Sequence, residues 1–215
     1  QAQVVLFNVN QLKESVAQQK GTLKGDLTLA MIPTVAPYLL PGFIEVFRKD
    51  YPAIAIKITE MRTDAIIDQL LSAKIDMAIL STPLENPQIL EVPLYYEKFV
   101  AYISPSESIF KFDEIKVSNL DPESLWVLEE GHCLRNQVFN FCDNRTHSST
   151  YESGSIDTLV KIVDKNGGYT VIPELHIDLL SEQQKLNLRT ISPEATREIS
   201  LVIRHDYVRE GMMNA

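Results

Sequence analysis

Leu27-Thr28-Leu29-Ala30-Met31-Ile32-Pro33-Thr34-Val35-Ala36-Pro37-Tyr38-Leu39-Leu40-Pro41 is the stretch whose reading decides the fold class. Leu27 to Ile32 is an apolar run of strand length closed by Pro33, and Pro37 to Arg48 then carries Leu39, Leu40, Phe43 and Phe47 at helical spacing. The same cycle follows at once. Ile54, Ile56 and Ile58 alternate as a strand, Ile66, Ile67, Leu70 and Leu71 mark a helix, and Met77 to Leu80 reads as a buried strand of the parallel kind. Strand and helix in alternation predict an α/β unit.

Beyond a Pro-containing stretch, Pro83 to Pro93, the pattern resumes with strands at Phe99 to Ile103 and Trp126 to Leu128. A helix with Ile156, Leu159, Val160 and Val163 on one face follows, and Gly167-Gly168 turns the chain into a strand at Tyr169 to Ile172, stopped by Pro173. These form a second α/β unit. Arg197 to Arg204 is a late strand expected to cross back to the first unit, so the chain is expected to build two lobes around a cleft. The expected division is 1–24 as helix end and linker, 25–95 with 198–215 as the first lobe, and 96–197 as the second. Val5, Val9, Leu12 and Val16 predict an amphipathic helix ahead of that linker. The lack of an initiating Met and a helix starting near Asp206 that is cut at Ala215 read as the ends of an excised fragment.

Composition narrows the function. A net charge of −9 argues that these residues do not grip a DNA duplex, which is held by Lys and Arg neutralising phosphates. No apolar run reaches about 18 residues and no signal peptide opens the chain, so a cytoplasmic protein with no membrane partner is expected. Two cysteines are too few for a secreted disulfide framework, and their default state in a reducing cytosol is thiol. Gly-x-Ser-x-Gly, phosphate-loop and Gly-x-Gly-x-x-Gly motifs are missing.

Both cysteines fall in Gly131-His132-Cys133-Leu134-Arg135-Asn136-Gln137-Val138-Phe139-Asn140-Phe141-Cys142. If this is a helix from near His132, nine residues at about 100° each turn Cys142 half a revolution from Cys133, with a rise of roughly 13 to 14 Å. A disulfide needs Cα atoms within about 7 Å, so pairing requires the segment to change shape. A helix N-terminus, Arg135 and His132 all favour the Cys133 thiolate. A thiolate that attacks peroxide becomes a sulfenic acid, which a second thiol, the role assigned to Cys142, captures. Thr34 and Thr63, beyond strand ends and near helix starts, are candidate donors, as is Ser155 for a bound ligand. Taken alone, each more often reads as an ordinary N-cap. Two buried apolar cysteines, or a zinc site of His132, Cys133, Cys142 and His147, are the other readings. The zinc set lacks Cys-x-x-Cys, and no metal or other cofactor is expected.

Gly131 to Arg135, with a second Cys after eight intervening residues, resembles the redox motif of OxyR, the hydrogen-peroxide sensors among the LysR-type transcriptional regulators. The resemblance extends through Ile32 to Pro41, Ser155 to Leu159 and Gly168 to Pro173. It implies a periplasmic-binding-protein-like (type 2) regulatory domain of two α/β subdomains, without the N-terminal winged helix-turn-helix. It further implies a peroxidatic Cys133, a resolving Cys142, and a peroxide site of Thr34, Thr63, His132, Leu134 and Arg135. The disulfide would alter a homodimer or homotetramer that contacts promoter DNA through the missing domain. A thiol reductant of glutaredoxin or thioredoxin type and RNA polymerase are the implied partners. A stoichiometric sensor, not an enzyme, is expected. The rivals are a LysR-type domain that binds a small organic anion through Thr34 and Ser155, and a thiol peroxidase.

Overall fold

The computed structural model describes residues 23–128, 155–207 and Met212. The expected N-terminal helix and the cysteine helix lie outside them. The described residues fall into two compact units, 23–94 with 199–207 and Met212, and 95–128 with 155–198.

In the first unit, strand β1 (Gly25–Met31) leads to helix α1 (Ala36–Asp50), β2 (Ile54–Glu60), α2 (Thr63–Leu71) and β3 (Met77–Thr82). β1 pairs in parallel with β2, Leu27 opposite Ile56, and with β3, Leu29 opposite Met77. β3 is buried along its whole length, as a parallel strand covered on both faces must be. Asp76, just before β3, is tied to β1: its Oδ2 accepts from Thr28 N at 2.7 Å and from Thr28 Oγ1 at 2.6 Å. The core gathers Leu27, Leu29, Met31, Val35, Ile66, Leu70 and Leu80. Along α1 and its C-cap, Phe43, Phe47 and Tyr51 follow one another at i, i+4 spacing as tilted ring pairs with centroids 5.2 and 5.3 Å apart.

Two strands pass from one unit to the other: β4 (Ile89–Ile103) and β8 (Thr196–Arg204). Within the first unit the strand order is β2-β1-β3-β8. In the second unit β4 pairs antiparallel with β6 (Tyr169–Pro173) and with β7 (Leu188–Ser192), and β5 (Glu114–Lys116) joins β7 in parallel. Helix α3 (Ile156–Asn166) buries Ile156, Leu159, Val160 and Val163, the face expected from the sequence, beside β6. Short 3₁₀ turns at Ser108–Lys111, Val117–Asn119, Pro122–Ser124 and Glu174–Leu179 and the one-turn helix α4 (Glu182–Lys185) complete it.

Two expectations change. β4 is three times longer than Phe99 to Ile103 and takes in Pro93, so half of the supposed Pro-containing loop is strand. Trp126 to Leu128 is not a strand. Leu125 makes an isolated parallel bridge to Tyr169, but the next carbonyl, on Trp126, accepts from the Thr170 hydroxyl at 2.8 Å. A side chain thus takes a ladder position there. At the end of the chain Asp206 lies in a turn and Met212 is helical; the rest of the helix expected from near Asp206 lies outside the described residues.

Across β4 and β8, Glu97 and Arg197 form an ion pair whose side chains are fully buried. Arg197 Nε and Nη2 each approach Glu97 Oε1 to 2.8 Å, and its guanidinium stands 5.7 Å from the Phe99 ring centroid. Burial of charge is tolerable here because the charges are matched and hydrogen-bonded.

Candidate functional site

Because β1, β2 and β3 run parallel as neighbours, their C-terminal ends share one sheet edge. Open α/β sheets place ligands at this edge. Thr34 follows β1 in a turn held by Val35 N and Ala36 N donating to Ile32 O at 3.0 and 3.1 Å. Thr63 follows β2, and Ser81 and Thr82 close β3. All four hydroxyl residues are buried, as is Ser200 on β8, whose Oγ lies 2.6 Å from Thr82 Oγ1. The structure therefore brings Thr34 and Thr63 to one edge and adds Ser81, Thr82 and Ser200, which the sequence reading did not single out. Ser81-Thr82-Pro83 does carry a signal: a hydroxyl pair and a proline ending an apolar run, much as Ile32-Pro33-Thr34 does.

None of the three predicted Ser and Thr positions caps its helix by side chain. The N-cap of α1 is Val35, that of α2 is Arg62 with Thr63 as first helical residue, and Ser155 holds the N-cap of α3 without a side-chain capping bond. The reading as ordinary caps fails for Thr34 and Thr63, while Ser155 is the N-cap by position.

His132, Cys133, Leu134, Arg135, Cys142 and His147 lie outside the described residues. The residues on either side of 129–154 are firmly seated in the second unit. Trp126 N donates to Tyr169 O at 2.9 Å and its indole Nε1 to Gly167 O at 2.9 Å, while Val127 and Leu128 are buried. On the far side Ile156 is buried at the start of α3.

Among the described residues, each unit carries a pocket of its own. One of about 410 Å³ is lined by Leu71, Pro87, Gln88, Arg204, His205 and Asp206, and another of about 280 Å³ by Trp126, Thr158, Ile162 and Asn166. Neither includes Thr34, Thr63 or Ser155. Among the described residues no cluster of His, Cys, Asp and Glu could hold a metal ion, and no helix is long and apolar enough to cross a membrane.

Residues 20–215 match the family model of the LysR substrate binding domain. The chain is 32% identical over 209 residues to the hydrogen peroxide-inducible genes activator of Haemophilus influenzae, covering 95% of this chain and 69% of that relative. It is 35% identical over 210 residues to the DNA-binding transcriptional dual regulator OxyR of Escherichia coli K12, covering 95% and 68%. Reduced OxyR from Porphyromonas gingivalis superposes with a TM-score of 0.81 at 37% identity, covering 88% of this chain and 89% of that one. The α/β, periplasmic-binding-protein-like class expected from the sequence is the class of these structures. On a sheet edge of buried hydroxyls, a matching domain model and relatives above 30% identity, the chain belongs to the LysR substrate-binding-domain family, within its OxyR group.

Proposed function

We propose that this chain is the peroxide-sensing regulatory domain of a LysR-type transcriptional regulator. The observation that carries the reading is Cys133 beside His132 and Arg135, with Cys142 nine positions on, in a chain whose relatives are named hydrogen peroxide-inducible activators. The Cys133 thiolate attacks one peroxide oxygen as the O–O bond breaks; the other oxygen leaves as hydroxide and takes up a proton to become water. The Cys142 thiolate then attacks the sulfenic sulfur of Cys133, forming the S–S bond as the S–O bond breaks; hydroxide leaves and takes up a proton to become a second water. Thr34 and Thr63 hydroxyls and Arg135 donate hydrogen bonds to the peroxide, beside His132 and the Leu134 backbone. The disulfide changes the pairing of subunits, and through it the grip of a DNA-binding domain on promoters. A dithiol reductant resets the switch.

One equivalent of hydrogen peroxide should yield a Cys133–Cys142 peptide lighter by two hydrogens in mass spectrometry. Cys142→Ser should trap a sulfenic acid on Cys133 that dimedone captures. Failure of the intramolecular bond to form sinks the reading. Turnover separates a sensor from a thiol peroxidase: with a reductant, an enzyme consumes many equivalents of peroxide per chain.

The buried hydroxyls at the β1, β2 and β3 ends favour a second reading, a small organic anion as effector. It requires that Cys133→Ser leave the response to that effector intact.

A further inference from the structure

His176 lies in the 3₁₀ turn Glu174–Leu179 with its side chain 1% exposed. Its Nε2 is 3.3 Å from Asp157 Oδ1, in the first turn of α3, and the Asp157 carboxylate is half-exposed. Neither ring nitrogen makes a hydrogen bond among the described residues. Burial pushes the imidazole below its ordinary range, and Asp157 pulls more weakly the other way. The helix N-terminus beside it also disfavours a cation.

Other charged groups around the turn are engaged elsewhere. On the same turn, Glu174 Oε1 accepts from Lys98 N at 2.9 Å and Asp178 acts on Lys185. On α3, Asp164 accepts from Tyr102 Oη and Gln184 Nε2 at 2.5 and 2.9 Å. On β6, the titratable Tyr169 donates its hydroxyl to Asp121 O. Asp157 is the charged partner within ion-pair range of His176.

We propose that the buried imidazole of His176 is an acid-sensitive latch, which seats the Glu174–Leu179 turn in the second unit while it is neutral and loosens it when protonated, with the Asp157 carboxylate limiting that loss. The unfolded histidine takes up its proton near pH 6.5, and the folded one resists until lower pH. The unfolded state then binds more protons, so stability is full above about pH 6.5 and falls as pH drops through that value toward the folded midpoint. The latch is independent of the thiol chemistry, and its test needs neither peroxide nor DNA.

The test compares the unmodified chain with His176→Leu and Asp157→Asn in chemical denaturation from about pH 8 to about pH 5. Relative to His176→Leu, the unmodified chain should lose up to about tenfold in its folding constant per pH unit below about 6.5. Asp157→Asn should enlarge that loss, because a carboxylate favouring the charged ring is gone. Hydrogen exchange should show the Leu159 amide, bonded to Ser155 O at 3.1 Å, and the Leu180 amide, bonded to Ile177 O at 3.0 Å, losing protection on acidification only where His176 is present. Should His176→Leu fail to fold, His176→Gln serves the same comparison. Parallel pH profiles for the unmodified chain and the His176 variant overturn the proposal, as does an Asp157→Asn profile identical to the unmodified one.

Discussion

Replacing Gly168 with alanine tests how the second unit is assembled around its αβ turn. Gly168 has φ +78°, and a Cβ built there would lie 2.4 Å from the Ser124 backbone oxygen and 2.8 Å from Trp126 Nε1. Neither neighbour has room to yield. Ser124 belongs to a 3₁₀ turn, and the Trp126 indole is fixed by its bond to Gly167 O. The Gly168 backbone is held as well, its N–H donating to Glu107 Oε1 at 2.8 Å and its carbonyl accepting from Ser104 N at 2.9 Å. Left-handed backbone costs a side-chain-bearing residue about 1–2 kcal/mol, and relieving the overpacking costs about 1–3 kcal/mol more. A loss of about 2–5 kcal/mol is large against a domain stability of about 5–15 kcal/mol. Trp126 is the chain's one tryptophan, so its fluorescence reports this unit in urea. At a slope of about 2 kcal/mol/M the midpoint should fall by about 1 M or more. Gly42→Ala is the control: it lies within α1, nothing meets its Cβ within 4 Å, and the change should stabilise by about 0.5–1 kcal/mol. A Gly168→Ala midpoint indistinguishable from the parent would refute the packing argument.

Removing one partner of the buried Glu97–Arg197 pair, as in Glu97→Gln or Arg197→Met, should cost about 3–5 kcal/mol by denaturation, and replacing both with apolar residues should cost less than either alone. Tyr102 is buried with its hydroxyl on Asp164, and burial first and that bond second push its ionisation well above the usual tyrosine range. Its stabilising contribution is present below about pH 10 and is lost as pH rises beyond that; Tyr102→Phe should remove this alkaline loss while costing about 1–2 kcal/mol at neutral pH. Under the peroxide reading, Thr34→Val should slow Cys133 oxidation about tenfold in stopped-flow kinetics, the effect of one donor worth roughly 1.4 kcal/mol.

What the sequence disclosed depended on whether a structural cause was local. β1 to β3 were legible because each strand is a short apolar run closed by a helix with its own apolar face. β5 and β7 escaped notice because each gains its strand character from a partner far along the chain: Glu114 pairs with Thr190, and Leu188 and Arg189 are only half-buried. β4 was truncated because Pro93 reads as a break, although β4 accommodates it.

The same distinction applies to the site. Thr34 and Thr63 were found because strand ends followed by hydroxyls are visible in one window. Ser200 was missed because it lies in the middle of an apolar strand and its partner Thr82 is 118 residues away. A subtler signal was nevertheless present. Glu97 is in phase with Phe99, Ala101 and Ile103, all buried, and Arg197 is in phase with Ile199. A strand whose buried phase includes a charge must supply the opposite charge from a neighbour. Read together, those two alternations predict that β4 and β8 lie side by side in the register that sets Glu97 against Arg197. A polar residue in the apolar phase of a strand is therefore evidence about which strands pair, and Ser200, in β8 with Thr82 as its partner, makes the same argument for β8 beside β3.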